Sequence, residues 1–172
     1  MGNAMTPRHL GMLVSLLSLL AACGGEDPAP LQARSIEDLE RQGALPVLDR
    51  SEDLGGPDAD GNGVRDDIDA WIARQGGAPA RQDALRQLAR AFRDALLVRG
   101  DSVAAQEAAW RTTLAVSCVM ARSGSGTEGA DAVADMRKMS ANTKARVLAY
   151  LDYSAALDGA ILSLPAGDGC DE

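Results

Sequence analysis

The sequence predicts an all-α fold: a small helical bundle preceded by an acidic-loop segment, with one further apolar helix at the N-terminus. Three observations predict it. The chain has 172 residues, about one domain's worth. Its hydrophobic fraction is 46% but only 3% is aromatic, so Ala, Leu and Val must supply most of the buried surface, which favours helices packed closely through small residues. Apolar residues also recur at helical spacing between Gly-rich stops.

In chain order, Arg8 and His9 precede an almost unbroken apolar run from Leu10 to Leu20, which ends at Leu20-Ala21-Ala22-Cys23-Gly24. As a helix such a run spans only about 16 Å, roughly half the hydrocarbon thickness of a bilayer, so a cleaved export signal is expected over a permanent transmembrane helix. Met1 and Met5 both precede the whole signal and are both candidate starts. The L-A-A-C-G string resembles the bacterial lipoprotein signal family. That resemblance implies cleavage after residue 22 and lipidation of Cys23 by diacylglycerol and acyl chains such as palmitate. Gly24 and Gly25 follow the cysteine, where an Asp tends to hold such proteins at the inner membrane. The implied address is the outer membrane, lipid-anchored and facing the periplasm, or the outer face of the cell membrane in an organism with only one. Residues 23–34, with G-G-E-D-P-A-P at their start, read as a flexible tether, and 35–172 as the folded part.

Charge and cysteines narrow the chemistry. The formal charge is −8, and loss of Arg8 with an acid-free signal leaves −9. So acidic a body is not expected to bind nucleic acid, and its membrane contact must come from the lipid anchor on Cys23. With Cys23 lipidated, Cys118 and Cys170 remain in an oxidising compartment, where a disulfide between them is expected, worth on the order of 3 to 4 kcal/mol in the chain-entropy model. An intermolecular bridge or two free thiols are the alternatives. His9 is the only histidine and leaves with the signal, which removes Ser-His-Asp and Cys-His catalysis and the usual zinc and haem ligand sets.

Ser35 to Gln42 reads as a short helix with a capping-box start, Ser35-x-x-Asp38, and a Gly43 stop. The run Asp58-Ala59-Asp60-Gly61-Asn62-Gly63-Val64-Arg65-Asp66-Asp67-Ile68-Asp69 then places oxygen side chains at positions 1, 3, 5, 9 and 12, a Gly at 6 and the Val64 carbonyl at 7. Ca²⁺ takes six to eight hard oxygens, alternate residues of a tight loop aim inward, and Gly63 permits the turn. The expected ligands are Asp58, Asp60, Asn62, Val64, Asp66 (directly or through water) and Asp69, which also opens a helix running to Gln75. A solvated acidic turn is the alternative, since Asp, Asn and Gly are ordinary turn residues.

The run resembles the single D-x-D-x-N/D-G loops of EF-hand-like, dockerin-type and thrombospondin type 3 calcium sites, with Gly63-Val64 and Asp66 closest to the last. Asp69 replaces the bidentate Glu of regulatory EF-hands, Arg65 stands where paired hands carry an apolar residue, and the chain holds no second such loop. The resemblance implies one lone structural Ca²⁺ site with affinity in the extracellular range.

Four helices follow. Arg81 to Arg99 carries Leu85, Leu88, Phe92 and Leu96 on one face, with Arg86, Arg90, Arg93 and Asp94 elsewhere on a solvated surface, and closes at Gly100. Ser102 to about Arg122 is expected to bury Val103, Trp110, Leu114, Cys118 and neighbouring alanines. After a 124–129 loop come Ala130 to Met139, then a last helix from Asn142 or Thr143 to about Leu162 with Val147, Leu148, Leu151 and Leu157 as its apolar residues. Tyr150, Tyr153 and Trp110 are expected to anchor the core more than to line a groove.

Lipobox, D-x-D-x-N-G-V-R-D-D-I loop, helical body and N-T-K-A-R-V-L-A-Y-L-D-Y together resemble uncharacterised proteobacterial lipoproteins. This implies an address and an architecture but no activity. No residue is singled out as catalytic. Three roles stay open: protein–protein contacts with an envelope partner, hydrolysis of envelope polymers by paired carboxylates, and a purely structural lipoprotein.

Overall fold

Side chains of Asp101, Ser125 and Thr143 cap the starts of the last three helices of the bundle. The computed structural model describes residues 35–171, so the expected signal over 1–22, Cys23 and the 23–34 tether lie outside the described residues. The elements are α1 (Ile36–Arg41), α2 (Asp66–Gln75), α3 (Pro79–Leu97), α4 (Ser102–Ala121), α5 (Gly126–Ser140) and α6 (Lys144–Ala156), with no strand among the described residues. The fold is all-α as the sequence predicts. Among these residues no helix is long and apolar enough to cross a membrane.

The spine is α3, which packs against α2, α4, α5 and α6. Its Leu85, Leu88 and Phe92 meet Val64 of the acidic segment, Ile68 and Ile72 of α2, Cys118 and Val119 of α4, and Met136 and Met139 of α5 in the main core. Ala95 at the far end of α3 joins Ala105, Ala108, Ala109 and Tyr153 in a second cluster, with the Tyr150 and Tyr153 ring centroids 5.8 Å apart. As expected for the short first helix, α1 buries nothing.

Four expectations are corrected. α2 starts at Asp66, not Asp69: the Asp66 amide donates to Pro57 O (2.9 Å), closing the loop, and the Ile68 and Asp69 amides already donate to Arg65 O. Three acids in that first turn suit the positive end of the helix. α5 starts at Gly126, inside the expected loop, because Ser125 accepts from the Glu128 amide (3.2 Å) while Glu128 accepts from the Gly124 amide (3.0 Å), a near relative of the capping box.

In α4 the alanines and Cys118 turn inward as expected, with Val119, but Val103 (75% exposed) and Trp110 (41%) stay outside. Close approach of α4 to α3 through alanines leaves no room for the larger side chains. Finally, α6 ends at Ala156, six residues before Leu162, with Gly159 at φ +75° just beyond. Its Val147, Leu148 and Leu151 lie exposed, and the residues it buries are Arg146 and Tyr153.

The last residues are strapped back onto the bundle. Cys118 and Cys170 form the expected disulfide, with Cα atoms 4.7 Å apart and a sequence separation of 52. Gln87 grips the same segment twice, donating to Gly169 O (2.8 Å) and accepting from the Asp171 amide (3.2 Å).

Candidate metal centre

The acidic loop is shaped by its own side chains. Asp60 accepts from the Asn62 amide (3.2 Å), Asn62 Oδ1 accepts from the Val64 amide (2.7 Å), and Asp58 Oδ2 accepts from the Gly63 amide (3.0 Å). The first two are Asx turns, which need little beyond short polar side chains at alternate positions, while the third reaches across five residues of the loop. Gly61 (φ +70°) and Gly63 (φ +83°) take the left-handed conformations that let the chain double back between them. Across the loop, the Ala59 amide donates to Asp66 Oδ1 (2.9 Å). Val64 then leaves the loop with its side chain 1% exposed in the main core, so the loop is pinned at its exit by an apolar anchor.

These turns bring Asp58, Asp60 and Asp66 together: each offers a carboxylate oxygen, and the three oxygens lie within 4.8 Å of one another. Asp58 Oδ1 is buried and has no hydrogen-bond donor. A carboxylate oxygen withheld from water without a donor is costly, and a cation is one of the few partners able to compensate it. Three carboxylates, the Asn62 amide oxygen and the Val64 carbonyl are all hard oxygen donors, a set that suits Ca²⁺ better than a thiolate- or imidazole-seeking metal.

Among the expected carboxylate ligands, Asp69 is the one that does not join them. Its Oδ1 accepts from Arg86 Nε of α3 at 2.7 Å. The arginines of α3 are correspondingly not the solvated face that the sequence suggests. Arg86, Arg90 and Arg93 follow the i, i+4, i+7 spacing of one helical stripe: Arg86 holds Asp69, the Arg90 stem packs beside Gly63, and Arg93 Nη2 stands 3.8 Å from Asp58 Oδ2.

Behind the loop lies a polar network that sequence reasoning missed. Arg65, 4% exposed, clamps Asp67 with two hydrogen bonds (2.6 and 2.9 Å) and donates to Met139 O (3.0 Å) at the end of α5. Arg146 has no exposed surface; it donates to Asp49 Oδ2 (2.6 Å), Asp53 O (2.6 Å), Asp49 O (2.8 Å) and Asn142 Oδ1 (2.9 Å). The Asp49 amide in turn donates to Asp67 Oδ2 (2.6 Å), which joins the two arginine systems. Burial pushes the Asp49 carboxyl up, but hydrogen bonds from Arg146 and Ser51 outweigh it and bring the pKa down to about 2.

Two signals pointed at this network. One is an arginine at loop position 8, where a paired EF-hand is apolar; the other is a lone arginine within the apolar stretch Ala145 to Leu151. Gly56 (φ +67°) fits between them, since an added Cβ would overlap Arg65 Cδ and lie 3.0 Å from Arg146 Nη2.

Comparison with protein-family models, with curated proteins and with solved structures finds no match to this chain. The functional reading therefore stands on the site itself.

Proposed function

We propose that this chain is a lipid-anchored cell-envelope lipoprotein that binds one structural Ca²⁺ in the 58–69 loop and acts through contacts with another envelope protein. The observation that carries the reading is the convergence of the Asp58, Asp60 and Asp66 carboxylates around a buried Asp58 oxygen that has no donor. When bound, the cation supplies positive charge to three crowded carboxylates and fixes the loop against the Arg65 network. Asp58, Asp60, Asn62, Val64 and Asp66 would hold it. The Cys118–Cys170 disulfide supports an oxidising compartment, as export beyond the cytoplasm requires. The lipid on Cys23 and the outer-membrane address rest on the signal motif. For the contact role, the support is the exposed apolar strip of α6 formed by Val147, Leu148 and Leu151.

The hydrolase alternative calls for a carboxylate of raised pKa in a cleft. Asp49 shows the opposite shift and is locked in a structural ion pair.

Titration calorimetry of the full chain in mild detergent tests the metal. One calcium per chain is expected, with the heat lost in Asp58→Ala plus Asp60→Ala; no heat at millimolar calcium, or equal heat in the double variant, would overturn the site. Metabolic labelling with palmitate tests the anchor: incorporation is expected and should vanish in Cys23→Ala. Cross-linking in cells with and without a chelator tests the contact role, for which a defined partner that depends on calcium is the expected result.

A further inference from the structure

We propose that Arg86 is a built-in competitor of the cation: by holding Asp69 it keeps the twelfth loop position out of the site and lowers the affinity for calcium. This inference rests on the calcium reading of the loop. Asp69 lies one helical turn after Asp66 in α2, so both project from the same side of that helix. Yet only Asp66 joins Asp58 and Asp60, while Asp69 Oδ1 is taken by Arg86 Nε at 2.7 Å. To give an oxygen to a metal among Asp58, Asp60 and Asp66, the Asp69 carboxylate has to turn toward them from its present position, in which Arg86 holds it on Oδ1. Cation and guanidinium therefore compete for one group.

Arg86 also has somewhere to go. Its Nη1 already reaches Asp83 Oδ1, one turn earlier in α3, at 3.3 Å. On release from Asp69 the guanidinium keeps an acidic partner, and the exchange strands no buried charge because Arg86 and Asp69 are each more than a quarter exposed. Arg93, 3.8 Å from Asp58, adds a second guanidinium whose Nε is buried without a partner. Two arginines thus offset part of the loop's negative charge when no cation is bound. The loop is then tuned to fill only where calcium is abundant.

Calorimetric titration of the full chain with CaCl₂ reads this directly. Arg86→Gln is expected to bind about five-fold more tightly than the unmodified chain, the fold-change equivalent to losing one partly exposed ion pair. Arg86→Lys, which keeps the charge and loses the fork, should fall between them and serves if the glutamine variant does not fold. Adding Asp69→Asn to Arg86→Gln should erase the gain. Lys138→Gln makes the same charge change in an exposed pair with Asp135 and should leave affinity unchanged.

Unchanged or weaker binding in Arg86→Gln would overturn the proposal, weaker binding meaning that Arg86 holds Asp69 for the metal. An equal gain in Lys138→Gln would overturn it too, by reducing the effect to net charge. Binding by Arg86→Gln alone, with none by the unmodified chain, would uphold the competitor while ending the calcium reading of the native loop; binding by neither would end both.

Discussion

Arg146 is the largest fully buried side chain among the described residues. A fully buried guanidinium costs several kcal/mol to desolvate, and here it is compensated by Asp49 and by main-chain carbonyls of the 49–54 segment. Arg146→Met should destabilise the chain by about 3 to 5 kcal/mol in urea denaturation, because Asp49 is left without its cation. Asp49→Asn should cost less, and the double variant less than the sum of the two. Asp49 also predicts an acid response. Its folded pKa, about 2, lies below the ordinary carboxyl value of 3.8, so its contribution is complete above pH 4 and is lost as pH falls through 2. That contribution is on the order of 1 to 2 kcal/mol after allowance for the carboxylate's partial exposure. Acid unfolding followed by circular dichroism should show this loss for the unmodified chain and not for Asp49→Asn. At Gly56 both the positive φ and the crowding by Arg65 argue that Gly56→Ala costs about 1 to 3 kcal/mol, measurable in the same denaturation.

Among the elements, the helices that follow periodicity and capping were legible, and those governed by neighbours were less so. α3 shows its core face in the spacing Leu85, Leu88, Phe92 and Leu96, all buried. α5 could have been placed by Ser125-x-x-Glu128, but its glycines masked the cap. α4 misled because its large residues, Val103 and Trp110, look like core; its alanines take that place since only they let α3 come close. In α6 an arginine occupies the buried face, a substitution that no hydrophobic pattern reveals, because its partners come from residues 49–54. The strap at the C-terminus yields its own prediction. Replacing Cys118 and Cys170 together with Ser should lower stability by about 4 kcal/mol in the chain-entropy model and speed amide exchange over residues 168–171, while α3 keeps its protection.

For the whole molecule, the acidic loop was legible because its chemistry is local: the residues that shape it lie within twelve positions, and the hydrogen bonds they make need no distant partner. What surrounds it was not. The α3 arginines and the Arg65–Asp67–Asp49–Arg146 network reach it from across the fold, and their contacts depend on packing that one sequence does not display. The result is a loop fixed at its exit by Val64 and Arg65 but with crowded carboxylates at its centre. A cation there should order the loop locally and leave α3 as it is. Amide hydrogen exchange of the full chain, in calcium and in chelator, tests this most directly. Slower exchange confined to residues 58–66 in calcium is the predicted result; identical exchange in both conditions, or protection centred elsewhere in the chain, would contradict it.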